Sequence, residues 1–399
     1  MKIFSNDYFT SLPNSALHVK GGPARFTIEF SAFIVSHGHS WTGLLHGPGG
    51  AEPLEELLRV DTGRSFFKIS SQSATQEALR KVSEGVAPEV FFAKDIETVA
   101  ELMRQDSPDI VLINGFSSFA WILSAAARRN DLPFVIQHAG IWKREVDAYG
   151  DLFSPGGRAM CYAMEKEAAE TASTNIFLNE YSREVFQNTV RPDVMRGSII
   201  IPLPHSGWPF TGNFIPQKRD ARILGVVARW DRIKNQGAIL AVAEEVNRQR
   251  LPWRIRSVTE IPDTPVQADF KARYRELIDI LPHMKREALR EFYGSVDMMI
   301  LPSHFDVSPT VVMEAVSVGI PTLISPNVGW VSEYMECGMG DWIVPFDNPG
   351  NVIRRIRELF LRTAWPEASQ FAEHIKKRHE PFTVFSYYLD LFEQIIKMS

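Results

Sequence analysis

The sequence predicts an α/β protein built from two doubly wound domains. Three observations carry this. Short apolar runs alternate with segments of helical period along nearly the whole chain, which signals parallel sheets covered on both faces. The alternation stops once, where 202–218 turns rich in Pro, Gly, Trp and Phe, and then begins again. At 399 residues the chain is also too long for one ordinary core.

In order, 2–5 is a first strand, and Gly21-Gly22 precedes Pro23, which opens a helix to about Ser36 with Phe26, Ile28, Phe30, Phe33 and Ile34 as its apolar positions. A glycine pair ahead of a helix start is an ordinary turn or a place where an anion meets the backbone; both readings stand. Strand 41–45 leads into a Gly/Pro-rich loop. Strands then fall at 65–69, 109–114, 133–138, 174–178 and 197–201, with helices at 96–104, 119–128, 158–171 and from Ser182. After 202–218, read as a linker, strand 222–227, helix 235–247 and strand 253–258 follow. Helices near 270–277 and 285–293 lead to strand 297–301, helix 309–318 and strand 321–325. A strand at 341–344, helices around Arg354–Arg357 and near 368–377, and an amphipathic helix over 384–398 close the chain. The expected domains are 1–205, 206–380 and a terminal helix 381–399. Two similar halves imply a cleft between them, a favoured place for a ligand.

Composition narrows the function. Hydrophobic content of 45% and charged content of 23% are those of a soluble globular protein. A net charge of -5 without a long basic run argues against nucleic acid as the main partner. Two distant cysteines, Cys161 and Cys337, suit a reducing compartment, neither has metal-ligand spacing, and no D-x-D pair recommends a bound metal. The first residues have no apolar signal region and no stretch is long enough to span a membrane, so the cytoplasm is the expected location. The G-x-G-x-x-G and G-x-x-x-x-G-K-[ST] fingerprints are both missing, which disfavours a dehydrogenase or a P-loop ATPase.

The most informative stretch is 297–333, DMMILPSHFDVSPTVVMEAVSVGIPTLISPNVGWVSE. Ser308-Pro309 reads as an N-cap followed by proline at the first helical position. Glu314 interrupts a helix that is otherwise apolar almost all round. A buried carboxylate needs a partner, either a neighbouring Arg or a ligand at the carboxyl edge of a parallel sheet.

Taken together the motifs resemble family 4 of the retaining glycosyltransferases, which have the GT-B fold. The segment ILGVVARWDRIKN carries Arg229 and, five residues on, Lys234. Asp306 and Glu314 hold the loop-carboxylate and helical-glutamate positions, and Val328-Gly329-Trp330-Val331-Ser332-Glu333 matches V-G-G-x-x-E. In the first half Gly21-Gly22, the S-H-G-H-S segment around Gly38 and IQHAG ending a strand also look like the family, as does the last helix, which in that fold crosses back to the first domain.

The resemblance implies a nucleoside-diphosphate sugar donor, UDP- or GDP-linked, with no cofactor and no metal. Charge builds on the leaving diphosphate, and fixed cations must meet it. Arg229 and Lys234 would serve there, with backbone donors near Ser308, Thr310 and Val311. Glu314 would accept the ribose hydroxyls and Asp306 would face the donor sugar, although the family usually carries glutamate at that position. Asp306 could instead cap the following helix. His138 would lie by the reacting sugar, hydrogen-bonding it through the imidazole or stabilising developing positive charge through its backbone carbonyl. Trp330, where the family has glycine, is a stacking platform or loop packing, and Glu333 is a further candidate. The implied function is hexosyl transfer with retention to an acceptor hydroxyl. A sugar-nucleotide epimerase or a non-catalytic sugar-binding protein on the same fold are the alternatives. The acceptor, a carbohydrate, glycolipid or small molecule, would meet loops 46–53 and 140–155. KREVDAYGDLFSPGGR within and beyond the latter reads as a mobile acceptor loop or a surface excursion. Peripheral membrane contact stays open, but Arg354, Arg355, Arg357 and Arg362 are better explained as a solvated helix face.

Overall fold

The computed structural model describes residues 1–7, 22–47, 54–60, 63–71, 76–205, 208–210, 214–216 and 221–399. The chain divides into two compact units, one of Met1–Pro204 with Pro381–Ser399 and one of His205–Glu380.

The first unit contains strands β1 (Lys2–Asp7), β2 (Ser40–Gly47), β3 (Leu54–Val60), β4 (Arg64–Ser70), β5 (Ile110–Asn114), β6 (Phe134–His138), β7 (Thr174–Phe177) and β8 (Ser198–Ile200). Its helices are α1 (Gly22–Ser36), α2 (Gln76–Arg80), α3 (Pro88–Phe91), α4 (Ala93–Asp106), α5 (Ser118–Arg129), α6 (Trp142–Ala148), α7 (Pro155–Thr171) and α8 (Glu180–Thr189). The sheet order is β3-β4-β2-β1-β5-β6-β7-β8. All pairs are parallel except β3–β4, which is antiparallel. The strands β5 and β6 are buried along their whole length, as expected of strands covered on both faces. Gly43 in β2 has a steric reason: a Cβ there would lie 2.7 Å from Asp7 Oδ2 and 2.8 Å from the Phe66 ring.

The second unit contains β9 (Arg222–Val227), α9 (Gln236–Arg248), β10 (Trp253–Val258), α10 (Ala268–Leu277), β11 (Asp279–Leu281), α11 (Arg286–Gly294), β12 (Met298–Leu301), α12 (Thr310–Ser317), β13 (Thr322–Ile324), α13 (Val331–Glu336), α14 (Pro349–Phe360) and α15 (Pro366–Arg378). Its sheet is wholly parallel, in the order β11-β10-β9-β12-β13. The last helix, α16 (Pro381–Met398), belongs to the first unit. There it packs an aromatic face on α1, with Phe26 to Tyr388 at 5.2 Å, Phe30 to Tyr388 at 5.2 Å and Phe30 to Phe392 at 6.0 Å between ring centroids.

Both sheets are thus the doubly wound parallel sheets that the alternation predicts. Four local expectations need correction. The strand expected at 341–344 is a 3₁₀ turn, Gly340–Trp342, followed by a single bridge from Ile343 to Ile324. Ser308 does not cap α12: the N-cap is Pro309, no side chain caps that end, and the helix begins at Thr310. A proline side chain has no acceptor to offer, so the end is held from outside, by Trp330 Nε1 donating to Pro309 O at 3.0 Å. The segment 143–158 is no open loop, since α6 and the start of α7 occupy most of it. Finally, β3 and β11 have no counterpart among the expected elements.

Candidate active site

In an open parallel sheet a ligand binds outside the carboxyl ends of the strands, where the strand order reverses. In the second unit that point lies between β9 and β12, paired through Met298–Leu224 and Met299–Gly225. The chain leaving β9 carries Arg229 and Lys234, and the chain leaving β12 carries Asp306. Two backbone devices join these exits. Asn235 adopts a left-handed conformation (φ 56°), caps α9 through Ala238 N at 3.2 Å, and donates from Nδ2 to Pro302 O at 3.1 Å. His304 N donates to Ile233 O at 2.8 Å.

This brings Lys234 Nζ and an Asp306 carboxylate oxygen into a hydrogen-bonded ion pair. Their side chains are 19% and 13% exposed, so the pair is partly shielded from water but open on one side. One of the three ammonium donors points at Asp306, which leaves capacity for further oxygens. Asp306 is itself held from its backbone, by a parallel bridge to Val328 and by Gly329 N donating to its carbonyl at 2.8 Å. Its carboxylate therefore meets Lys234 and does not cap α12.

Arg229 stands apart. Its side chain is 82% exposed and among the described residues reaches only Asp231, at 3.7 Å, while Asp231 caps the 3₁₀ turn through Ile233 N at 2.9 Å. The structure leaves Arg229 on the solvent side of the strand exit. Ser308, Thr310 and Val311 are half-buried at the start of α12, where helical N–H groups have no intrahelical acceptor. Glu314 is half-buried in a helix whose Val312, Met313, Ala315 and Val316 are buried. Its Oε2 accepts from the Tyr293 hydroxyl at 2.8 Å.

Other expected residues lie elsewhere in function or place. The Trp330 ring is buried, edge-on to Phe371 at 5.8 Å, with its N–H spent on Pro309 O. It presents no face to a sugar, and of the two readings loop packing is the one observed. Glu333 is buried against α15, with His379 Nε2 at 3.7 Å, His374 Nε2 at 4.0 Å and Arg378 Nε at 3.5 Å. Burial alone would raise its pKa, but the bonds and charges of these neighbours outweigh that and hold it down at about 2. It anchors α13 to α15.

In the first unit His138 ends β6 as expected, but its imidazole is wholly buried, stacked on Phe177 at 4.7 Å and packed on Phe186 at 4.4 Å. Asn175 commits its amide nitrogen to Ala169 O, so its oxygen accepts from His138 Nε2 at 2.9 Å. Burial lowers the imidazole pKa to about 4, and the ring is neutral at pH 7. The imidazole cannot hydrogen-bond a sugar from this position; only the backbone of His138 remains from that expectation. Gly22 is the first residue of α1, tied to the sheet where Asn114 Nδ2 donates to Pro23 O at 2.9 Å. Gly21 and residues 48–53 lie outside the described residues.

Residues 221–361, within the second unit, match the family described as "Glycosyl transferases group 1". A Bacillus subtilis (strain 168) protein named "Putative glycosyltransferase EpsF" is 26% identical over 124 residues, 30% of this chain and 31% of that one. The match thus spans about a third of that relative. Among solved structures, sucrose-phosphate synthase from Thermosynechococcus elongatus aligns over 100% of both chains with a TM-score of 0.70 at 14% identity. A structure described as "Trehalose-6-phosphate from E. coli bound with UDP-2-fluoro glucose" covers 99% of each chain at 0.69 and 12%. A glycosyltransferase from Rickettsia africae ESF-5 covers 100% of this chain and 99% of its own at 0.65 and 14%. At these identities the likeness shows the fold, and the fold is GT-B.

Among the described residues, no group of three or more His, Cys, Asp and Glu side chains could hold a metal ion. No helix there is long and apolar enough to cross a membrane. Sequence reasoning missed Asn235, whose cap was legible as Asn before a helix, and Tyr293, which reads as an ordinary core aromatic.

Proposed function

We propose that the protein transfers a hexosyl group from a nucleoside-diphosphate sugar to an acceptor hydroxyl, with retention at the anomeric carbon and without a metal ion. The observation that carries this reading is the Lys234–Asp306 pair at the switch point of the second sheet, immediately ahead of the first turn of α12. As the bond from C1 to the diphosphate oxygen breaks, negative charge grows on the leaving group. Lys234, fixed by Asp306, supplies a preorganised cation, and the N–H groups of Thr310 and Val311 supply dipoles. Glu314 takes the ribose hydroxyls and Asp306 the donor sugar. The acceptor oxygen bonds to C1 on the face the diphosphate leaves, and its proton passes to the departing phosphate oxygen. Arg229 swings in from solvent to the diphosphate. The acceptor is a carbohydrate, glycolipid or small molecule, and the compartment is the cytoplasm, where buried Cys161 and Cys337 stay reduced.

The test is nucleotide release from a panel of UDP-, GDP- and ADP-sugars, in the presence of EDTA, against candidate acceptors. UDP-sugars head the panel, since one structure of the same fold is described as bound with UDP-2-fluoro glucose. One donor should be consumed, and Glu314→Gln should abolish turnover while circular dichroism stays unchanged. Full turnover in that variant, loss of turnover with EDTA, or isomerised sugar without an acceptor would each sink part or all of the reading.

A further inference from the structure

We propose that Tyr293 is a positioning residue for the nucleotide site, orienting the Glu314 carboxylate so that it accepts the two vicinal hydroxyls of a ribose. This rests on the donor reading above. Tyr293 sits in the last turn of α11, and its ring is wholly buried in the cluster of Trp208, Phe292, Val296, Met299 and Ala315. Trp208 meets it edge-on at 5.9 Å and Phe292 at 6.0 Å, so the ring is held between α11, β12 and α12. A buried phenol needs a partner for its hydroxyl. Here it donates to Glu314 Oε2 at 2.8 Å.

The consequence is geometric. Glutamate has three side-chain torsions, and on a bare helix face they would sample several rotamers. A hydrogen bond from a rigid donor fixes one carboxylate oxygen and with it the plane of the group. A carboxylate held in one plane meets the two hydroxyls of a cis-diol without first having to order its own torsions. Burial, with the Glu314 charge beside it, pushes the phenol well above its ordinary pKa. It therefore donates throughout the working range and does not titrate in competition.

The experiment uses the full chain. Calorimetry with UDP, GDP and ADP identifies the nucleotide bound, and its 2′,3′-dideoxy form is then titrated in parallel. Wild type should prefer the ribonucleotide by about tenfold or more, the scale of a lost pair of hydroxyl bonds to a charged acceptor. Tyr293→Phe keeps the ring and its packing. It should weaken the ribonucleotide by about fivefold and leave the dideoxy form unchanged, while raising the donor KM with kcat nearly constant. In the Glu314→Gln background, Tyr293→Phe should add almost nothing. Equal weakening of both ligands would reduce Tyr293 to packing and overturn the inference, as would an unchanged preference. Wild type that binds none of the nucleotides, or does not distinguish the two sugars, would overturn the Glu314 reading and this inference with it.

Discussion

The carboxyl edges of the two sheets are built on the same topological plan and furnished in opposite ways. At the switch point of the second sheet the described residues present charge: Lys234 paired with Asp306 and Arg229 beside Asp231, with Glu314 on the helix that follows. At that of the first, between β1 and β5, two neutral amides close the gap. Asn6 Nδ2 donates to Asn114 O at 2.9 Å and Asn114 N donates to Asn6 Oδ1 at 2.8 Å. Among the described residues, titratable groups near the ends of its strands are spent on structure, as where Asp7 Oδ2 accepts from Trp41 Nε1 at 3.2 Å. His138 is neutral, and Glu165, pushed up by burial to about 8, accepts from Trp142 N at 2.8 Å and Lys143 N at 2.7 Å, fixing the start of α6. Topology supplies two equivalent crevices; only the side chains set how each is charged.

The contrast breaks most visibly at Lys234. Replacing it with alanine should cut donor turnover by about 10²–10³-fold, the usual cost of one preorganised group facing transition-state charge, and assay at saturating donor measures it. A residual rate within a few-fold of wild type would mean that the second edge is charged for another reason. In the first unit the corresponding blow falls on stability. Glu165→Ala orphans one buried and one half-buried N–H group and should cost about 2–3 kcal/mol in urea denaturation, with nucleotide affinity unchanged.

Acid and base sharpen the comparison. His138 has a folded pKa of about 4 against its ordinary 6.5, so its contribution is present above 6.5 and lost as pH falls through 4. Glu165, at about 8 against 4.5, works the other way: its contribution is present below 4.5 and lost as pH rises through 8. Between 4.5 and 6.5 the two slopes oppose. Removing one of them with His138→Gln should leave a protein whose first unit gains stability on acidification through that window, by about 2 kcal/mol. In the second unit Glu333, at about 2, is lost only as pH falls from 4.5 towards 2. Melting curves from pH 4 to 8 test this, and a variant that tracks wild type would remove His138 from the account. The smallest effect belongs to Trp330→Phe: about 1 kcal/mol for the bond to Pro309 O, with donor selectivity unaltered.

How much of this the sequence discloses depends on whether a residue's role is local. The strands β5, β6, β9 and β12 announce themselves as apolar runs, and α9 by Asn235 before a helical period. The strand β3 does not. Its sequence LEELLRV mixes Glu and Arg into the pattern, which an antiparallel edge strand accepts because one edge stays unpaired. The helix α6 is hidden for a similar reason, since WKREVDA owes its start to Glu165, a residue far along the chain. Position 330 signals a departure from a glycine but not its outcome, because the pocket that buries the ring is made by Pro309 and Phe371. Lys234 and Asp306 are each singled out by the family resemblance, whereas their pairing, like Tyr293, requires the fold to be known.

The aromatic seam of α1 and α16 bears on how the chain is made. The helix α16 completes the first unit but follows the whole second unit in sequence. During synthesis the nascent first unit therefore waits, with Phe26 and Phe30 lacking Tyr388 and Phe392, while the second unit emerges and closes on itself. Folding of the two units is coupled in time though each has its own core. A ribosome stalled before residue 381 would hold one finished unit and one with an uncovered aromatic stripe, the natural target of a chaperone.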